Sequence, residues 1–406
     1  MKSFDTIIIG GGPAGLFTAL NCRRGKTLLL EKNPSPGKKL LISGSGRCNV
    51  THAGEISDFL NHYGENFKFL KTALRKFTNH DLVDFFNKRG LQTITDKNGK
   101  VFPDTDNAAD ILQILLHECR KNNVTIFNNN PVSSIEKAQD SFHVKTQDGE
   151  FTCRNLVIAT GGNSYPATGS SGDGYQFAKK LGHAIVPPKP ALTPVFIRDY
   201  SMAELSGVSL QDVPVYLYRE NKKINEHRGD IGFTHKGLSG PGILDFSRHI
   251  HSDDILKINF IGENADDFRK SIIDTTAKEG KITIQLFLRK YDLPKSLVKI
   301  ILQELNIQPE LNLANIQKNM RNLLVISFCE YPFYIEKTGG FNMAMTTKGG
   351  VALTEVSSKT MESKLVPHLY FAGEVLDFDG DTGGYNIQAA FSTGLLAAGS
   401  INAGIS

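Results

Sequence analysis

The 406 residues include no tryptophan and only five cysteines, Cys22, Cys48, Cys119, Cys153 and Cys329, none in a CxxC pair. Such a scatter offers neither zinc-finger spacing nor a dithiol redox motif, and it suits a reducing compartment. No uninterrupted apolar run approaches the ~20 residues that a membrane span needs. The opening residues, MKSFDTIIIGGG, lack the longer apolar stretch and cleavage site of a secretory signal. These absences lead to the expectation of a cytoplasmic protein with no membrane partner. Charge of one sign is also scarce. The net charge of +4 permits an anionic ligand or RNA without demanding either. With 40% hydrophobic and 22% charged residues, the composition excludes a disordered tail, a collagen-like fibre and a disulfide scaffold. The length allows two or three domains.

What the chain has is glycine, 38 residues of it, mostly in a few clusters. The first follows the apolar, β-branched run Thr6 to Ile9, which reads as a buried strand. Gly10, Gly11, Gly12, Pro13, Ala14 and Gly15 then precede a helical pattern of Leu16, Ala19 and Leu20. In this strand, G-x-G-x-x-G, helix order, Gly10 permits the tight turn and Gly12 lets the backbone approach a pyrophosphate. Gly15 lets helix and strand pack closely. The helix N-terminus adds free N–H groups and a dipole that favours the anion. A second strand, Thr27 to Leu30, ends in Glu31, placed to accept hydrogen bonds from an adenosine ribose. An acid there disfavours a 2′-phosphate, which points to FAD or NAD rather than NADP.

The remaining glycine clusters choose between them. A strand over Asn155 to Thr160 runs into Gly161-Gly162, and a short strand over Leu369 to Ala372 runs into Gly373-Glu374. After Asp377 to Gly384, a helix begins near Tyr385-Asn386-Ile387 and continues with small residues. This is the layout of two-dinucleotide-binding-domain flavoproteins, an α/β class with a Rossmann-like FAD domain. There the last helix points its positive end at the flavin pyrimidine. The expected cofactor is non-covalent FAD.

Three segments carry a specific resemblance. Gly37 to Thr51 contains Ser43-Gly44-Ser45-Gly46-Arg47-Cys48-Asn49; Phe233 to Pro241 reads FTHKGLSGP; Gly373 to Asn386 reads GEVLDFDGDTGGYN. Together they resemble the YhiN/BaiN-like family of bacterial FAD-dependent flavoproteins, which includes aminoacetone oxidases. One departure is His52, where that family usually has asparagine. The small residues Ser43, Gly44 and Asn49 suit a loop that wraps a flavin edge. Arg47 offers a planar donor fork to a pyrophosphate or anionic substrate. Cys48 either faces the isoalloxazine or is a small buried hydrophobe. Lys32 and Lys39 flank the ribose and phosphates or are solvated charges. Val132 stands where this fold presents backbone to the adenine. Thr160, Gly161, Gly373, Glu374, Gly384, Asn386 and Ile387 complete the expected cofactor residues. No metal site is expected.

Between the glycine clusters the chain changes character. Short β-rich runs from Leu192 to about Ile261 suggest an antiparallel sheet or barrel, and helical spacing takes over from about Asn264 to Leu324. The resemblance implies an FAD domain (1–190 plus 340–406), an inserted β-barrel (191–263 plus 325–339) and a small helical cap (264–324). Ten Lys/Arg against seven Asp/Glu in 265–325 is the balance of an ordinary solvated face. His235 and Lys236, on a tight turn of the insert, are acid/base candidates; Asp379, Asp381 and Tyr385 are others, though aspartates beside glycines most often just make turns.

No second G-x-G-x-x-G unit is present for a nicotinamide, so NADH or NADPH would act as a transient reductant docking on the flavin. The leading expectation is hydride transfer between flavin N5 and an organic substrate, in the form of NAD(P)H-driven reduction of an activated C=C bond. Three other readings stay open: dihydrouridine formation in ribosomal RNA, amine oxidation, and a non-catalytic flavin-binding module. Substrate, small molecule or RNA base, and oligomeric state are not legible at this level.

Overall fold

A computed structural model describes residues 2–404. The chain forms two compact units, one comprising residues up to Ala191 together with those from Phe341 onward, the other Leu192–Gly340. Among the described residues no helix is long and apolar enough to cross a membrane.

The first unit is built on a seven-stranded sheet. Strands Thr125–Phe127, Thr27–Leu30, Lys2–Ile9 and Gly149–Ile158 lie side by side and parallel. The last of these is long enough to serve two neighbours on one edge. Residues 149–153 pair antiparallel with Ser141–Thr146, which turns back to Val132–Ala138, while residues 156–158 pair parallel with Leu369–Phe371. Ile7, Ile8, Leu28, Leu29, Leu156 and Val157 are all fully buried. Consecutive buried residues mean that both faces of the sheet are covered, as parallel strands with crossover helices require.

Two helices meet above this sheet. Pro13–Asn21 packs on the C-terminal helix Tyr385–Ala403 through small residues. A Cβ at Gly394 would stand 2.6 Å from the Ala14 carbonyl oxygen, so only glycine allows this approach. Thr18 Oγ1 spans the contact, donating to Ala14 O at 2.8 Å and Gly394 O at 3.2 Å.

The stretch between the second and third parallel strands holds helices Phe67–Lys76, Asn79–Asn87 and Ala108–Lys121 and a small antiparallel sheet of Thr51–His52, Lys100–Pro103 and Thr93–Thr95. Phe69, Leu70, Ala73 and Leu74 form the buried stripe of the first helix. A capping box starts the second: Thr78 Oγ1 accepts from the Asp81 N–H, and Asp81 Oδ2 accepts from the Thr78 N–H. The chain leaves this unit along Ile185–Ala191 and returns along Thr346–Val351, paired antiparallel with Ala191 opposite Thr346.

In the second unit six strands close into a barrel. Their order is Val195–Ile197, Gly237–Ser239, Lys222–Phe233, Ser209–Arg219, Ile255–Ile258 and Tyr331–Thr338, the last pairing back with the first. Glu220 and Asn221, at φ 50° and 61°, make the two-residue left-handed tip of the longest hairpin. Helices Ala265–Lys278, Ile284–Leu288, Lys295–Glu304 and Lys318–Cys329 follow. Phe268, Ile272, Leu297 and Phe328 lie in the same buried apolar cluster as Leu256, Ile258 and Ile335 of the strands. Helices and strands of this unit therefore share one core.

Candidate active site

The first glycine turn separates two physical demands. A Cβ at Gly10, which sits at φ 108°, would lie 2.4 Å from Ala159 O, and one at Gly15 would lie 1.9 Å from Gly10 O. Both glycines are required by the fold itself. At Gly12 a Cβ would meet nothing within 4 Å, so the chain's own packing gives no reason for glycine there. Pro13 opens the helix at its first position, where its missing N–H costs nothing. Glu31, buried at the end of its strand, accepts from the Gly11 N–H through Oε2 (2.8 Å) and from the Asn33 N–H and Nδ2–H through Oε1 (both 2.7 Å). A carboxylate takes about four such bonds, so one lone-pair site is left over. Val132 opens its strand at a half-buried position.

The second cluster forms a loop of left-handed residues: Gly44 (φ 55°), Ser45 (59°), Gly46 (88°) and Cys48 (60°). Ser43 Oγ donates back to Leu40 O at 2.6 Å. Asn49 Oδ1 is buried with no partner among the described residues. The Arg47 guanidinium is half exposed, 4.3 Å from the centre of the Phe102 ring and 3.6 Å from Asp106 Oδ1. The Cys48 thiol is fully buried, and that burial pushes it up to about 12. A thiol held neutral in this way is not the thiolate that redox chemistry uses.

This loop runs directly against the C-terminal turn. A Cβ at Gly384 (φ 97°) would lie 2.5 Å from Thr51 O, and Thr51 Oγ1 donates to Gln388 Oε1 at 2.7 Å. Asn386 braces the turn, accepting from the Gly380 N–H and donating to Gly380 O, both at 2.8 Å. Ile387 packs, half buried, on the core of the unit. The structure thus gathers residues 10–15, 43–52 and 373–387 in one unit, with the segment after the fourth parallel strand beside them. In that segment Gly161 is left-handed (φ 73°), and Thr160 Oγ1 is buried without a partner among the described residues. Gly373 (φ 74°) lies so close to the first turn that a Cβ there would be 2.8 Å from Ala14 Cβ.

Both expected phosphate-flanking lysines are engaged by the protein. Lys39 Nζ bonds Ser164 Oγ and, at 2.8 Å, Glu374 Oε2. Glu374 Oε1 accepts from Ser164 Oγ (2.9 Å) and the Thr347 N–H (2.8 Å). Lys32 pairs with Asp173 at 2.6 Å and also donates to Ser171. Ser164 and Thr347 carry no motif, and sequence reasoning passed over both.

Tyr385 is buried and stacks with two imidazoles. His52 stacks on its ring (ring centroids 5.1 Å apart, 15° between planes), and so does His62 (4.0 Å, 15°). Both His52 nitrogens are held by carbonyl oxygens, Nδ1 by Ala53 O and Nε2 by Asn98 O. His62 differs: Nδ1 stands 2.9 Å from Asp381 Oδ2, and the side chain is 37% exposed. His62 lies in a stretch without motifs, and its pairing with Asp381 arises only across the fold. Nearby, burial and then the charge of Asp379 raise Asp377 to about 6.

His235 and Lys236 belong to the second unit and are exposed. They sit on a turn fixed by Thr234, whose N–H and Oγ1 both donate to Gly237 O. With Phe196, Tyr200 and Lys337 they line a cleft of about 460 Å³. Among the described residues no group of three or more His, Cys, Asp or Glu is placed to hold a metal.

A dinucleotide fits the first unit on these observations: open space over Gly12, a helix N-terminus behind it, a spare lone pair on Glu31, and unpartnered buried oxygens on Asn49 and Thr160. Comparison with known proteins agrees. The family described as HI0933-like protein Rossmann domain matches residues 4–400. The chain is 35% identical over 401 residues to the ribosomal RNA dihydrouridine synthase of Escherichia coli (strain K12), covering 98% of each protein. It is 31% identical over 401 residues to the 3-dehydro-bile acid delta(4,6)-reductase of Clostridium scindens, covering 96% of this chain and 97% of that one. Among solved structures, the Mycobacterium smegmatis Sdh1 complex in the apo form shares the fold at TM-score 0.50 and 13% identity, over 99% of this chain and 68% of that one. The chain belongs to the HI0933-like Rossmann-domain family of YhiN/BaiN-like flavoproteins and is an FAD-dependent oxidoreductase.

Proposed function

We propose that this protein reduces a carbon–carbon double bond conjugated to a carbonyl, with NADH or NADPH as the reductant and uridine in ribosomal RNA as the substrate. The observation that carries the redox half of this reading is that residues 10–15, 43–52 and 373–387 meet in one unit, Gly373 against Ala14 and Gly384 against Thr51, while the protein's own packing leaves Gly12 open. Bound FAD supplies hydride transfer through its N5 atom. In this reading the turn from Gly10 to Gly15 and the helix N-terminus at Pro13 hold the pyrophosphate. Glu31 accepts from the adenosine ribose, and backbone at Val132 meets the adenine. Residues 43–49, with Gly384, Asn386 and Ile387, border the flavin ring, while Lys39 and Glu374 brace that border. Because dihydrouridine is uridine reduced across C5=C6, the 35% identity over nearly all of two ribosomal RNA dihydrouridine synthases supports the RNA substrate.

A second reading, reduction of a small cyclic enone, is favoured by the bile acid reductase at 31% identity. The two are separated by salt. RNA binding weakens steeply as salt rises because counterions are released, whereas a small neutral enone is nearly insensitive to it. The test is dihydrouridine content of ribosomal RNA from cells with and without this gene. Equal content in both would reject the RNA substrate and leave the enone.

A further inference from the structure

We propose that His62 is the acid that gives the substrate its proton, with Asp381 and Tyr385 as its positioning residues. Reducing a C=C bond adds two hydrogens, one as hydride and one as proton, and the reading above assigns the first to the cofactor while leaving the second without a donor. This inference rests on that reading and deepens it.

Three observations single out His62. Its Nδ1 is 2.9 Å from Asp381 Oδ2, and its backbone oxygen accepts from the Asp381 N–H at 2.9 Å, so the residue is tied at two points. The ring lies flat on Tyr385 at 4.0 Å between centroids, which removes its rotational freedom. Tyr385 is itself fixed: its carbonyl accepts from Tyr63 Oη at 2.8 Å, and His52 stacks on its ring as well. Nε2 makes no hydrogen bond to any described residue, and the side chain is 37% exposed. A carboxylate on one imidazole nitrogen sets the tautomer and aims the other, as a general acid requires. His52, with both nitrogens on carbonyls, has nothing left to offer.

The position is right as well. Asp381 belongs to the turn that leads into the C-terminal helix, and that turn touches the 43–52 loop at Thr51. In the step, the C=C π pair opens as hydride reaches one carbon. The neighbouring carbon, or the carbonyl oxygen conjugated to it, takes the proton from the imidazolium Nε2–H. That N–H bond breaks as the new bond forms, the imidazole is left neutral, and solvent reprotonates it. The substrate gains two electrons and the nicotinamide loses two.

The test uses His62→Gln and Asp381→Asn in the FAD-loaded protein. The enzyme is first bleached anaerobically with NADH or NADPH, then mixed with ribosomal RNA or with 2-cyclohexen-1-one. Bleaching should be unchanged in both variants. Return of the flavin colour should slow roughly 100-fold or more in H62Q and about tenfold or more in D381N, with substrate KM within a factor of about two. A wild-type protein that neither substrate recolours sinks the proposed function. A wild type that recolours while both variants match it sinks His62 alone. A readout independent of turnover is nitrogen-15 NMR of the imidazole. His62 should hold its proton on Nδ1 in the wild type and lose that preference in D381N; a proton fixed on Nε2 in the neutral ring would overturn the arrangement. If H62Q does not fold, D381N and the NMR measurement decide.

Discussion

Lys39 and Glu374, 335 positions apart, form an ion pair of 2.8 Å that joins the short helix Lys38–Ile42 to the turn before the C-terminal helix. Ser164 and the Thr347 N–H complete it, so four separate segments meet at one carboxylate. The side chains are only 26% and 19% exposed. Lys39→Met should cost about 1–3 kcal/mol by stranding Glu374. The double variant Lys39→Met, Glu374→Gln should regain part of that loss. Denaturant midpoints of the two variants check it; equal midpoints would mean that the pair is not coupled.

Gly12 and Gly15 should part company on substitution. At Gly12, with φ −78° and no atom within 4 Å of a Cβ, alanine should leave the melting temperature nearly unchanged. FAD retention through gel filtration should nonetheless fall by about tenfold or more, since the side chain takes the space of the pyrophosphate. Gly15→Ala puts a Cβ 1.9 Å from Gly10 O, and the soluble yield itself should collapse. Full FAD occupancy in Gly12→Ala would contradict the turn's assignment.

Much of this site lies open in the residue order, and some of it does not. The strand Thr27–Leu30 and the C-terminal helix from Tyr385 follow from an apolar run and glycine punctuation. Those signals are local. Residues 53–124 carry no glycine signature, although the helical stripes Phe69, Leu70, Ala73, Leu74 and Ile111, Leu112, Leu115 were there to be read. His62 was beyond reach, because its meaning comes from an aspartate 319 positions away. Lys32 and Lys39 illustrate the opposite limit: their charge was legible, but not that Asp173 and Glu374 take it up.

Asp377 sets a pH dependence whose sign is fixed. Burial, then Asp379, lifts its carboxyl from the ordinary 3.8 to about 6. Folding therefore favours the protonated form. That contribution is full below the ordinary carboxylate value and is lost as pH rises through about 6. Asp377→Asn should gain stability over the wild type between pH 4.5 and 7.5, read as a growing difference in denaturant midpoint. A difference that stays constant would rule out this titration.

All five cysteines are buried, and Cys22, Cys48, Cys119, Cys153 and Cys329 are each held near 12 by desolvation. The native protein should show no rapidly reacting thiol with an aromatic disulfide reagent at pH 8, and five after denaturation. Fast native labelling of Cys48 would restore a redox role for it.

The central claim, hydride from a nicotinamide through FAD to an RNA uridine, meets its most direct test in one anaerobic cuvette. The purified protein is titrated with NADH, then NADPH, and deproteinised ribosomal RNA from cells lacking this gene is added. The expected result is bleaching of the visible flavin band, its return on addition of RNA, and dihydrouridine formed in step with the flavin reoxidised. A protein that bleaches but is not recoloured by RNA, or never bleaches with either nucleotide, would contradict the account.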